Sequence, residues 1–242
     1  MREPIYKVEK YRDLKEMLAK SGEKYGDRPA YLFRTEEPGK LREITHQEFR
    51  NQINQLGPKL IDMGLKDKRI AVIGENCYEW AVSYLSIVTG TGIVVPLDKA
   101  LPANEIESLI LRSEVEAIFY TDKYNEIMKE VKEKNNTKIK YFISMKSDKN
   151  ENDVYSFKQL IEDGKKLLEN GDRRFLDAEI DPNVMGIMLF TSGTTAMSKA
   201  VMLSQANICA NISNIACWVK LYPIYRFLCC FHHYIKKLEV LV

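Results

Sequence analysis

Arg69-Ile70-Ala71-Val72-Ile73-Gly74-Glu75-Asn76 sets the pattern from which the rest of this 242-residue chain is read. A short apolar, β-branched run begins at Ile70 and stops at a glycine and two polar residues. Comparable runs begin near Ile93, Ala117 and Ile139, at intervals of 23, 24 and 22 residues. Between them lie helical patterns. Strands alternating with helices at this spacing read as βαβ units. The expected fold class is therefore α/β, a layered, mostly parallel sheet with flanking helices.

The helices carry local signals. Thr45-His46-Gln47-Glu48 is a capping box, followed by Phe49, Ile53, Leu56, Leu60 and Met63 at steps of 4, 3, 4 and 3. Gly64 suits the end of that helix, and Gly57-Pro58 predicts a kink inside it. Asn76 is placed as the cap of a second helix, with Trp80, Tyr84 and Val88 on one face. Ile106, Leu109 and Ile110 mark a third, and Ile127 with Val131 a fourth. Phe157, Leu160, Ile161 and Leu168 mark a fifth. A sixth starts at Ser204 and carries Ile208, Ile212, Ile215 and Val219. The polar stretch 146–153 reads as a surface loop.

Composition narrows the function classes. Hydrophobic residues are 45% and charged residues 29%, ordinary for a globular protein with a real core. The net charge of +2 leaves no electrostatic footprint for nucleic acid. Five cysteines show neither a disulfide framework nor metal-ligand spacing, which fits a reducing, cytoplasmic setting. No apolar run approaches the length of about 18 residues needed to span a bilayer, so any membrane association would be peripheral.

The chemistry concentrates in one segment. Val184 to Phe190 lacks polar alternation and reads as a buried strand. It delivers the chain into Thr191-Ser192-Gly193-Thr194-Thr195, and Lys199 follows six residues after the glycine. Hydroxyls and backbone N–H groups near a glycine can wrap phosphate oxygens, and a lysine can offset their charge. The bland alternative is a Ser/Thr-rich surface turn. Ser198 and Ala200 flank the lysine where a Walker loop requires Gly and Ser/Thr, which excludes a P-loop ATPase. Lys199 to Leu203 reads as a further short strand, so this loop joins strand to strand.

The segment resembles the phosphate-binding signature of the adenylate-forming (AMP-binding) enzymes, Thr-Ser-Gly-Thr-Thr-Gly-x-Pro-Lys-Gly-Val, and most closely that of the long-chain fatty-acid–CoA ligases. Thr191 to Thr195, Lys199 and Val201 match; Ala196, Ser198 and Ala200 stand for the usual Gly, Pro and Gly. Similarity continues through Met202-Leu203-Ser204 to Asn207-Ile208, with Gln205 in place of a usual histidine. Upstream, Ile44-Thr45-His46, Arg69 to Asn76 with Glu79-Trp80, and Gly92 to Asp98 follow the family's order. Residues 1–220 are thus identified as the N-terminal part of an adenylation domain, a partial acyl-CoA synthetase.

The resemblance implies a two-step ligation that activates a carboxylate with ATP and then forms a thioester with coenzyme A. It assigns Thr191, Ser192, Gly193, Thr194, Thr195 and Lys199 to ATP, with Mg²⁺ accompanying the nucleotide. No residue is assigned a catalytic role, and no protein metal site is expected. The small-molecule partners implied are ATP and a fatty acid.

The family's adenine-binding segment, its Tyr-Gly-x-Thr-Glu and Thr-Gly-Asp motifs and its lid lysine are not found in this sequence. The chain is therefore expected to be truncated and inactive alone; the alternative is a non-catalytic nucleotide-binding remnant or module. Residues 221–242 depart from the family pattern, as a change of reading frame near Cys229, an early stop or simple divergence would make them. Cys229-Cys230-Phe231-His232-His233 cannot all face one ion from so short a segment. Gly90-x-Gly92 reads as a packing turn. A partial sheet is expected to expose apolar edges that favour self-association.

Overall fold

The fold, obtained as a computed structural model, is described over residues 5–34, 40–191 and 198–219. Helix α1 (Leu14–Tyr25) leads into a small antiparallel hairpin, β1 (Pro29–Arg34) and β2 (Leu41–Thr45). Helix α2 (His46–Asp62) follows. The alternating part then runs β3 (Arg69–Ile73), α3 (Tyr78–Ser86), β4 (Ile93–Pro96), α4 (Ala103–Ser113), β5 (Ala117–Tyr120), α5 (Asn125–Lys134) and β6 (Tyr141–Ser144). It continues with β7 (Val154–Ser156), α6 (Phe157–Glu169), β8 (Met185–Thr191), β9 (Lys199–Ser204) and α7 (Gln205–Ala216).

Among the described residues, one seven-stranded sheet has the order β7-β6-β5-β3-β4-β8-β9. Every pairing from β7 through β8 is parallel, and only β9 runs antiparallel, against β8. This is the α/β layered architecture expected. Side chains alternate between two cores as the pleat requires. Ile70, Val72, Ala117, Phe119, Ile187 and Leu189 face the helices α2, α3 and α6. Ala71, Ile73, Val95, Ile118, Tyr120 and Met188 face α4 and α5. Right-handed crossovers account for this division, because connections running opposite ways along a sheet place their helices on opposite faces.

The capping box forms as read: the Thr45 hydroxyl accepts from Glu48 N at 3.1 Å, and Glu48 accepts from Thr45 N at 2.7 Å. Gly64 takes φ +77° just past the helix end. Helix α2 runs on through Gly57 and Pro58, both buried inside it. Three other local readings are corrected. Cys77, not Asn76, is the N-cap of α3, and it makes no side-chain cap bond. Strand β6 begins at Tyr141 rather than Ile139, because its register pairs Tyr141 with Ala117, where β5 starts. Helix α7 ends at Ala216, leaving Val219 beyond it and exposed. Gly90-x-Gly92 is a packing turn: a Cβ on Gly92 would stand 2.3 Å from the Lys68 carbonyl oxygen. No helix among the described residues is long and apolar enough to cross a membrane.

Candidate functional site

Strand β8 is the element that presents the hydroxyl-rich loop. It lies parallel to β4, with Val94 opposite Ile187, so its last residue points to the same end of the sheet as the turns after β3, β4 and β5. In open α/β sheets, ligands bind in the crevice outside the carboxyl ends of the strands, beside the place where the winding reverses. Here α4 carries the chain from β4 back across β3 to β5, and β8 lies on the other side of β4. The antiparallel return through β9 pairs Leu189 with Val201, Phe190 with Ala200 and Thr191 with Lys199. The two outermost candidate residues, Thr191 and Lys199, therefore stand opposite each other at the base of the loop. Ser192, Gly193, Thr194 and Thr195 lie outside the described residues, as does the 221–242 segment with its Cys/His run.

The register has a chemical consequence: it holds Thr191 and Lys199 side by side on neighbouring strands. Lys199 is exposed at the first position of β9. The hydroxyl of half-buried Thr191 belongs to the last residue of β8.

One residue at this site has no signal in the sequence. Arg112, in the last turn of α4, donates from its guanidinium to the Ser198 carbonyl at 2.7 Å and lies 5.5 Å from the centre of the Phe190 ring. It thus touches both stems of the loop. A basic residue in the last turn of a helix reads as a favourable charge for the helix dipole. Nothing in the sequence indicates that it reaches a residue 86 positions away.

Other chemistry at this end of the sheet is structural. Burial pushes the Cys77 thiol up to about 12, so it is not a nucleophile at neutral pH. Burial pushes the Glu75 carboxyl up, but the Thr121 hydroxyl and nearby lysines outweigh it and leave the group below its ordinary value. Trp80 is buried and stacks on Tyr84 with centroids 5.3 Å apart, which makes it a core anchor. No cluster of three or more His, Cys, Asp or Glu suited to a metal occurs among the described residues. A cavity of about 410 Å³ opens at the opposite end of the sheet, beside Ile93 and Met185, the first residues of β4 and β8.

These features define a doubly wound sheet with a hydroxyl-rich loop at its carboxyl end. The sequence profile of the AMP-binding enzyme family matches residues 18–236, and the chain belongs to that family. Among curated proteins it is 34% identical over 149 residues to a CoA ligase of Gibberella moniliformis, covering 62% of this chain and 22% of that protein. It is 28% identical over 199 residues to a long-chain-fatty-acid–CoA ligase of Mus musculus, covering 80% of this chain and 27% of that protein. The fold matches a long-chain-fatty-acid–CoA ligase from Archaeoglobus fulgidus with TM-score 0.71 at 19% identity, over 89% of this chain and 41% of that one. The chain thus spans well under half the length of these relatives.

Proposed function

We propose that this chain supplies the triphosphate-holding part of an ATP-dependent acid–thiol ligase whose acid is a long-chain fatty acid. The observation that carries the reading is the pairing of Thr191 with Lys199 across the base of the loop. Membership of the AMP-binding family and the ligases among its relatives support it. In the reaction proposed, a carboxylate oxygen attacks the α-phosphorus of ATP and pyrophosphate leaves. The thiol sulfur of coenzyme A then attacks the acyl carbon and AMP leaves.

The loop's part is to hold the β- and γ-phosphates. Hydroxyls and N–H groups from Thr191 to Thr195 donate to phosphate oxygens, and the Lys199 ammonium offsets charge that grows as pyrophosphate departs. Such groups position and stabilise; they transfer no proton. Mg²⁺ would enter with the nucleotide and offset phosphate charge. The reduced thiols of Cys77, Cys209 and Cys217 support a cytoplasmic setting.

The proposal extends to turnover. Without an adenine pocket, a metal ligand and a lid lysine, contacts to the β- and γ-phosphates leave the α-phosphorus and the attacking carboxylate unpositioned, and positioning is a large share of the barrier. The 242-residue chain alone should therefore hold nucleotide without adenylating a fatty acid. The test is ATP–pyrophosphate exchange with the purified chain and saturated fatty acids of graded length. Exchange at the level of the protein-free control is expected; robust, acid-dependent exchange would show that the chain is catalytic by itself.

A further inference from the structure

We infer that Arg112 is a positioning residue that clamps the two stems of the candidate nucleotide loop to helix α4. The inference concerns the loop's geometry, and its consequence for ATP rests on the function proposed above.

Three observations carry it. First, the guanidinium makes contacts on both sides of the loop. Phe190 is on the incoming strand β8, and Ser198 is the residue before the outgoing strand β9. Each neighbours one member of the Thr191–Lys199 pair. Second, the contacts use what distinguishes arginine from lysine. A flat guanidinium stacks on an aromatic face while its in-plane N–H groups donate sideways. Third, Arg112 has no ion pair among the described residues, although the neighbouring lysines and arginines of this surface have carboxylate partners, such as Arg69 with Glu114 and Lys134 with Glu107. Among the described residues its one side-chain hydrogen bond is to the loop stem. Its anchor is firm, because Ile106, Leu109 and Ile110 seat α4 in the core beneath the sheet.

Strand β9 is the edge strand of the described sheet and is held by β8 alone, so its first residues have only one ladder to fix them. A bond from α4 to the Ser198 carbonyl supplies a second attachment on the other side. Two consequences follow. The spacing of Thr191 and Lys199 is set before any ligand arrives. The loop also inherits the position of α4, so a movement of that helix would be felt at the phosphates.

The test uses the full 242-residue chain as wild type, Arg112→Ala, Arg112→Lys and Phe190→Leu. Amide hydrogen exchange is followed over residues 188–204 without nucleotide, and MgATP affinity is measured separately. Arg112→Ala should speed exchange at the loop stems while leaving β3 and β5 protected. Its MgATP affinity should fall roughly tenfold, the scale of losing one charge-assisted hydrogen bond. Phe190→Leu, which removes the stacking face and keeps the arginine, should move exchange the same way. Arg112→Lys, which keeps the charge, should exchange like Arg112→Ala. Unchanged exchange in Arg112→Ala, or full protection in Arg112→Lys, would overturn the clamp and leave Arg112 as a bare charge. If the wild type binds no MgATP, the function proposed above fails, and the exchange data alone still decide the clamp.

Discussion

Gln205 shows how much a single side chain can carry without any catalytic duty. It is buried, with 4% of its surface exposed, and both ends of its amide are used. Oε1 accepts from Leu14 N at 2.9 Å, and Nε2 donates to the Val88 carbonyl at 2.7 Å. Leu14 is the first residue of α1, where a backbone N–H has no partner inside the helix. Gln205 therefore caps one helix from the start of another and ties both to the turn after α3. Gln205→Leu keeps the volume but leaves a buried donor and a buried acceptor unpaired, which should cost about 2–4 kcal/mol. A shift of the urea unfolding midpoint reads this; an unchanged midpoint would mean that water replaces both bonds. Sequence reading saw at this position only a departure from a family histidine. Partners 191 and 117 residues away leave no local trace.

Elements were legible where their signals are local. Two of the three helix starts read from side-chain patterns, Thr45 and Ser204, form with their hydroxyls accepting from the third residue on. Thr45→Ala should destabilise the protein by about 1 kcal/mol, the usual worth of such a cap, measured by thermal or denaturant unfolding. The carboxylate half of this box also sets a pH dependence. The backbone N–H of Thr45 and then its hydroxyl hold the Glu48 carboxyl below its ordinary value. A depressed carboxyl adds stability above its unfolded pKa and loses it as pH falls through the folded one. Glu48→Gln should thus unfold more easily than wild type at pH 7, and the difference should shrink below pH 4. A difference that persists at pH 3 would contradict the assignment. Boundaries fixed by tertiary partners were less legible. The start of β6 follows the start of β5, and Cys77 takes the cap position that Asn76 was expected to hold. Periodicity within one segment contains neither fact.

At the scale of the molecule, the spacing of four apolar runs anticipated a mostly parallel sheet with flanking helices, and the hydroxyl-rich run anticipated a strand–loop–strand unit. The strand order was not legible, because it depends on which way each crossover turns. Nor was Arg112, whose role exists only once α4 lies beside β8 and β9. The strand β9 that carries Lys199 is the edge of the described sheet, with Val201 and Met202 exposed along it. The proposed role that joins register and family is that residues 191 to 199 hold the phosphates of ATP. The direct measurement is calorimetric titration of MgATP into the 242-residue chain, beside Lys199→Ala. The account predicts saturable binding in the wild type and an affinity roughly tenfold lower without the lysine, one charge-assisted contact's worth. Absence of binding at millimolar nucleotide, or binding indifferent to Lys199→Ala, would contradict it.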